Sequence, residues 1–253
     1  MDDKKRVCIS FIGAGKAGVS LGAYFRSKGL EISGYLSRSR KSAISAAELT
    51  SSKAFTALSD LAAASDIIIV STPDGAIAEV WEELRKCDIR DRIVCHLSGS
   101  LSSDIFDGIA AKSSFGYSVH PMFAFSGKDG YFEGVEKACF TLEGAKEKLG
   151  EVREIFMHTG NRIFVIDKSK KALYHASNVM VSNLVTALLS IGTESFEKCG
   201  VKKEEAIEAL LPLIRGNIEN IAKKGFPGSL TGPVERNDTD TIMKHLDVME
   251  EDE

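Results

Sequence analysis

Four short groups of residues in this 253-residue chain bring together side chains able to hold a phosphate or move a proton. The first, Gly13-Ala14-Gly15-Lys16-Ala17-Gly18, follows a strand-like run and opens an Ala-rich helix. In that context the first glycine permits a tight turn, the second lets backbone approach a pyrophosphate, and the third lets helix pack on strand. The helix N-terminus then offers free N–H groups and the positive end of its dipole to an anion. Two further groups, His96-Leu-Ser98-Gly99 and Ser118-Val-His120-Pro-Met, set a histidine beside hydroxyls. Histidine is the side chain best matched to proton transfer near neutral pH. His96 has a structural alternative, a bond from its ring to a backbone carbonyl at a strand end. The fourth group is the helical stretch from Lys171 to Asn183, in which Lys171, His175, Asn178 and Ser182 share a stripe roughly 60° wide. Leu173, Met180, Leu184, Leu188 and Ile191 fall on the other side. The pattern predicts that the apolar side is buried. The polar stripe, with one formal charge, then forms the wall of a cleft or an uncharged solvent face.

A dinucleotide held by the glycine loop would place its adenine ribose at the end of the second strand, where an NAD site carries Asp or Glu. The sequence there is Tyr35-Leu36-Ser37-Arg38-Ser39-Arg40, with no carboxylate. Arginine presents a planar fork that suits a 2′-phosphate, so NADP is the expected cofactor, held by Ser37, Arg38 and Ser39. Alternatively, Arg38 and Arg40 simply open a solvated helix. Ser71-Thr72-Pro73-Asp74 follows another apolar strand and should pass beside the cofactor, with Asp74 either facing it or capping the next helix. His96, Ser98 and Gly99 are expected beside the nicotinamide end.

The elements that must position these groups follow an α/β pattern. Strands are predicted at Val7 to Ile12, Ile32 to Leu36, Asp66 to Ser71 and Arg92 to Leu97, with helices at Ala17 to Ser27, Lys41 to Ser51 and Ile77 to Arg85 between them. Further strands are expected at Ser118 to Phe125, Cys139 to Leu142 and Arg162 to Ile166, with a polar loop at Gly127 to Gly134 and a helix at Lys146 to Thr159. After Ser169 the alternation stops. One long helix is predicted from Ser169 to Cys199, a second from Lys202 to Lys224 with Pro212 kinking it, and a last one opening at Asp238 or Thr239. The expected fold is a Rossmann domain over 1–168, doubly wound on a mainly parallel sheet, followed by an all-helical domain over 169–253.

Composition is ordinary for a globular protein, 43% hydrophobic and 27% charged with 22 glycines and 5 prolines, which excludes disorder and collagen-like structure. The net charge is −4, and no basic run points to nucleic acid. The longest apolar stretches, Ile67 to Val70 and Val179 to Ile191, read as too short or too interrupted for a bilayer, which needs about 20 apolar residues. Five scattered cysteines without a CxxC pair suggest neither a disulfide framework nor a metal site. The N-terminal run enters a strand without a signal-peptide cleavage pattern, so the reducing cytoplasm is the expected compartment.

Taken in order, Gly13 to Gly18, His96-Leu-Ser98-Gly99, Ser118-Val-His120-Pro-Met, Tyr174-His175-Ala-Ser-Asn178 with Ser182-Asn183, Leu211-Pro212-Leu213 with Asn220, and Leu230-Thr231-Gly232-Pro233-Val-Glu-Arg236 give the chain a family resemblance. It resembles the Rossmann-like NADP-binding oxidoreductases that carry the C-terminal domain of unknown function 2520. These belong to the broad group of ketopantoate reductase, pyrroline-5-carboxylate reductase and 6-phosphogluconate dehydrogenase. The resemblance implies a helical domain that dimerises and a cleft between the domains. It also implies a lysine or histidine near the start of the long helix, with a nearby Asn, that polarises a carbonyl or passes a proton. Lys171, His175 and Asn178 are the matching positions. The His-Pro pair also resembles the catalytic segment of prephenate dehydrogenases, which brings in His120. Two departures stand out: Asn237-Asp238 replaces the family's Gly-Asp, and the chain ends sooner after its last helix than the family does. Asn tolerates the left-handed backbone such a loop needs.

The expected activity is NADP-dependent reduction of a small keto or imino compound, or oxidation of the corresponding hydroxy compound. Lys171 or His175 gives the proton, Asn178, Ser98 and Ser182 contact substrate, and Arg236 binds an anionic group. The alternatives are a prephenate-like dehydrogenase using His120, and a non-catalytic NADP-binding sensor or interaction protein.

Overall fold

A computed structural model describes residues 7–125, 127 and 132–250. The chain divides into two compact units, Met1–Val179 and Met180–Glu253. Strand pattern ends near residue 168, but contacts divide about ten residues later, so the first helix of the C-terminal run belongs with the sheet.

In the first unit, β1 (Cys8–Ile12), α1 (Lys16–Ser27), β2 (Glu31–Leu36), α2 (Arg40–Leu49), β3 (Lys53–Ala54), α3 (Leu58–Ala63), β4 (Ile67–Val70), α4 (Asp74–Leu84) and β5 (Ile93–His96) alternate as expected. β6 (Phe115–Pro121), β7 (Cys139–Gly144), α5 (Leu149–Met157) and β8 (Arg162–Val165) complete the sheet, and α6 (Lys171–Val181) follows. The strand order is β3-β2-β1-β4-β5-β6-β7-β8. Neighbours are parallel except β6 and β7, which run antiparallel. β6 starts and ends earlier than its expected range of Ser118 to Phe125. Within the polar loop expected at Gly127 to Gly134, positions 128–131 lie outside the described residues.

The central strand β4 is apolar at every position because both faces of the sheet are covered. Ile67 and Ile69 enter one core with Phe11, Leu21, Tyr24 and Phe25, whereas Ile68 and Val70 enter the other with Ile77, Trp81 and Phe106. The order β2-β1-β4 places the topological switch between β1 and β4, where doubly wound sheets bind ligands beyond the strands' carboxyl ends. The register aligns Leu36, Ile12, Val70, His96, Ser118 and Glu143 in one row across six strands. The glycine loop, the Ser71 loop and the Ser98 loop therefore all leave the sheet at one level.

The second unit contains α7 (Asn183–Lys198), α8 (Lys203–Lys224) and α9 (Thr239–Glu250). Its helices end or turn at left-handed Gly200, Gly225 and Asn237, the last at φ 53°, as the Asn237-Asp238 departure requires. α8 runs as one helix through Pro212. The long helix expected from Ser169 to Cys199 is interrupted at Ser182 (φ −118°, ψ −74°), between α6 and α7. Thr193 and Ala206 are the only buried side chains among this unit's described residues. The sequence expectation about membranes needs one correction. The whole run Lys168–Lys198 is long and apolar enough to cross a bilayer, by length and composition only. Helix continues on both sides of the Val179 to Ile191 stretch, so the short apolar run does not set the limit.

Candidate functional site

A cleft of about 510 Å³ opens at the switch point between β1 and β4, lined by Gly13, Ala14, Gly15, Leu36, Ser37, Arg38, Leu58, Ser71, Thr72, Pro73, Ala76, Glu79, Val80 and Glu83 among others. Gly13 has φ +113°, and a Cβ there would lie 2.9 Å from Ser71 backbone, so the turn and the close approach both require glycine. A Cβ on Gly15 would meet nothing within 4 Å, which leaves open space above the N-terminus of α1. Gly18 is buried against Ser71, so it serves packing. Lys16 is exposed and Ala17 half-buried at the start of α1, neither lining the cleft. Ser37 and Arg38 line it, but Ser39 instead caps α2, accepting from Ser42 N at 3.2 Å. The Thr72 hydroxyl is buried in this wall without a hydrogen-bond partner.

Asp74 follows this wall and turns toward the next loop. Its Oδ2 accepts the hydroxyls of Ser98 at 2.7 Å and Ser100 at 2.8 Å. Ser98 Oγ also accepts from Ser100 N at 3.1 Å and Leu101 N at 3.0 Å. That occupies its one donor and two acceptor positions, so in this structure the Ser98 hydroxyl shapes its own loop. His96 makes the backbone contact that was its structural alternative. It is fully buried, its Nε2 meets Ser102 O at 3.2 Å, and its Nδ1 accepts from Ser98 N at 3.2 Å. Those partners assign the proton to Nε2. Burial, with the Lys171 charge acting in the same direction, holds the ring neutral by lowering its pKa to about 4.

Beside this loop lies a polar centre built from β6 and α6. Lys171 is 2% exposed, and its Nζ donates to Ser118 Oγ at 2.6 Å. Burial lowers its pKa to about 8, against the opposing charges of Glu143 and Asp74. His120 Nδ1 meets the Tyr174 hydroxyl at 2.6 Å. Burial, then the positive charge of Lys171, lowers the His120 pKa to about 4, while burial raises that of Tyr174. Gly99 separates two imidazoles: a Cβ there would lie 2.7 Å from His175 Nδ1 and 2.9 Å from His120 Nε2. His175 Nδ1 is itself buried without a partner. Asn178 Nδ2 donates to Tyr174 O at 3.1 Å, so this contact turns its amide toward its own helix. Glu143, 2% exposed on β7, accepts Ser103 N at 2.8 Å and Ser103 Oγ at 2.7 Å, pinning the end of the same loop.

The structure thus brings His120, Lys171 and His175 together around Gly99 and Ser118. It also reverses the expected amphipathicity of this helix: Lys171 and His175 face β6 and the Gly99 turn, while Leu173 is 70% exposed. Ser182 and Arg236 belong to the second unit and are both exposed, with Ser182 Oγ donating to Asn183 Oδ1 at 3.0 Å. Glu143 was not singled out from sequence, and Ser118 and Tyr174 entered only within their motifs, without a role of their own. Tyr174 lies beside the polar stripe in helical angle, and Glu143 is the one acid in strand Cys139–Gly144; both were readable signals. Among the described residues, no group of three or more His, Cys, Asp or Glu stands ready to hold a metal ion.

Comparison with known proteins matches residues 2–121 to a Rossmann-like domain and residues 138–253 to the domain of unknown function DUF2520. Among solved structures, protein TM1727 from Thermotoga maritima is 29% identical, with a TM-score of 0.77 over 96% of this chain and 90% of that one. BF3122 from Bacteroides fragilis, described as a candidate NADP oxidoreductase, is 23% identical, with a TM-score of 0.78 over 97% and 92%. Pyrroline carboxylate reductase from Plasmodium falciparum, solved with NADP bound, is 16% identical, with a TM-score of 0.67 over 97% and 94%. A search of curated proteins finds no match.

Proposed function

We propose that this chain, which belongs to the family joining a Rossmann-like domain to the domain of unknown function 2520, is an NADP-dependent oxidoreductase acting on a small keto, imino or hydroxy compound. The observation that carries this reading is the pairing of Arg38 and Ser37 with the open Gly13–Gly15 turn in one cleft. The glycine turn and the N-terminus of α1 suit a pyrophosphate, and Arg38 suits a 2′-phosphate. The unpartnered Thr72 hydroxyl offers a further contact. The NADP named for BF3122 and bound in the Plasmodium reductase agrees with this.

NADP supplies hydride chemistry when bound; the chain supplies orientation and the proton. Lys171 is the donor in the reductive direction. Its ammonium is protonated at neutral pH yet pulled down to about 8, within range of a general acid. As an unsaturated carbon gains hydride, the attached oxygen or nitrogen takes a proton from Nζ, and the neutral amine regains one from water. Ser118 Oγ fixes the ammonium by accepting from it. The hydrogen bonds that join His96 to Ser98 and Ser98 to Asp74 keep the Gly99 turn in place.

A second reading centres on His120, because its neutral ring and short bond to Tyr174 suit a base in an oxidative reaction. One experiment separates the readings. NADPH binding is titrated by fluorescence, and its consumption is followed with a panel of small keto and imino acids for wild type, Lys171→Met and His120→Ala. Turnover lost in Lys171→Met supports the first reading. Loss confined to His120→Ala supports the second, and tight binding without any turnover leaves a sensor.

A further inference from the structure

We infer that Glu79 reads the base of the dinucleotide, accepting a hydrogen bond from the exocyclic amine of adenine. This rests on the NADP reading above and assigns a specificity residue to that cleft. Helix α4 presents two faces. Ile77, Trp81 and Leu84 enter the core, whereas Ala76, Glu79, Val80 and Glu83, spaced i, i+3, i+4 and i+7, line the cleft. Val80 and Ala76 face a wall that includes Leu36 and Leu58, an apolar slot suited to the flat faces of a purine.

Two carboxylates in the wall of a site for a polyanion oppose binding unless they meet donors. Glu83 already pairs with Lys86 at 2.6 Å. Glu79 has no hydrogen-bond or ion-pair partner among the described residues, although it lines the cleft. The phosphates are placed elsewhere in the cleft, at the Gly13–Gly15 turn and at Arg38. Glu79 lies five residues along α4 from Asp74, roughly 7.5 Å along the helix axis, away from the Thr72-Pro73 turn. That offset matches the base end of the ligand. With the 2′ position carrying phosphate, the donors remaining there are the adenine amine and the ribose 3′-hydroxyl. The apolar slot beside Glu79 selects the amine.

The probes are NADPH and its reduced hypoxanthine analogue, which replaces the amine by a carbonyl oxygen. Dissociation constants are measured by fluorescence for wild type, Glu79→Gln and Glu83→Gln. Wild type is expected to favour adenine by about 3- to 10-fold, one hydrogen bond to a solvent-accessible charged group. Glu79→Gln, whose amide can both donate and accept, should bring the ratio to within about twofold of one, while Glu83→Gln keeps the wild-type ratio. The inference is overturned if wild type shows no preference or if Glu79→Gln preserves it. It is also overturned if Glu79→Gln weakens both ligands equally, which would put Glu79 on the ribose. Failure of wild type to bind either dinucleotide defeats the NADP reading itself, a result visible in the NADPH titration alone.

Discussion

Lys171 Nζ donates to Ser118 Oγ at 2.6 Å, joining the first turn of α6 to the middle of β6, and both side chains are almost wholly buried. A buried cation is costly, and burial pulls its pKa from 10.5 down to about 8.

The sign of the effect on stability follows. The unfolded chain holds the Lys171 proton up to about 10.5, the folded chain only to about 8, so folding is penalised below about 8 and the penalty is relieved between about 8 and 10.5. Relative to Lys171→Met, wild-type stability should rise with pH across that window, as read by denaturant unfolding at a series of pH values. Reductive turnover should fall as pH passes about 8, because the donor deprotonates. It should drop by about 100- to 10,000-fold in Lys171→Met at pH 7. A wild-type stability curve parallel to that of the variant throughout would show that the ammonium is not strained by burial.

Gly99 is the spacer between two rings. Alanine there would put its methyl 2.7 Å from His175 Nδ1 and 2.9 Å from His120 Nε2. Overpacking of this kind costs about 1 to 3 kcal/mol. Gly99→Ala should therefore unfold at lower denaturant concentration and lose at least tenfold in kcat, with little change in NADPH affinity. Adding His175→Ala should restore part of the stability, because it removes one of the clashing rings. A fully active, fully stable Gly99→Ala protein would mean that the rings shift freely.

The sheet and the glycine turn were legible because their signals are local. Ile67 to Val70 is apolar throughout since neighbours cover both its faces, and Gly13 follows a strand and opens a helix. The orientation of α6 was not legible. Periodicity separates the Lys171 side from the Leu173 side, but the direction of burial depends on Ser118 and His120, which lie more than fifty residues away in sequence. The pairings that hold Ser98 and His96 are similarly non-local or loop-specific: Asp74 reaches Ser98 from another strand end, and His96 bonds the backbone of the loop that follows it. Ser39 is a simpler case, since Ser before a helix is an N-cap by type and the cap claimed its hydroxyl.

Arg38 is proposed to carry the choice between NADP and NAD. It is exposed at the end of β2 in the cleft wall, and no carboxylate stands between Ser37 and Arg40 to favour a free ribose. A charge-assisted contact to phosphate contributes about 1.5 to 3 kcal/mol. Arg38→Ala should accordingly weaken NADPH by about 10- to 100-fold and leave NADH nearly unchanged, with the NADPH difference shrinking as salt rises. Equal losses for both dinucleotides would remove Arg38 from phosphate recognition.

The second unit presents an apolar surface that a second copy of the chain is proposed to cover. On α7, Leu184, Leu188 and Ile191 are 51%, 67% and 53% exposed, and on α8 Leu213 and Ile218 are 62% and 59% exposed. Isolated exposed leucines are ordinary, but Leu184, Leu188 and Ile191 recur on one face of α7, the pattern of a surface that a partner covers. Covering each such side chain contributes about 1.5 to 3 kcal/mol. Multi-angle light scattering should therefore give twice the chain mass at micromolar concentration. Leu184→Glu combined with Leu188→Glu should yield monomer with a lower melting temperature, since each charge would be buried at the interface. The same helical run is apolar enough to suit a bilayer, so co-flotation with lipid vesicles is the control. A wild-type monomer, or a chain that floats with vesicles and does not dimerise, would overturn the dimer.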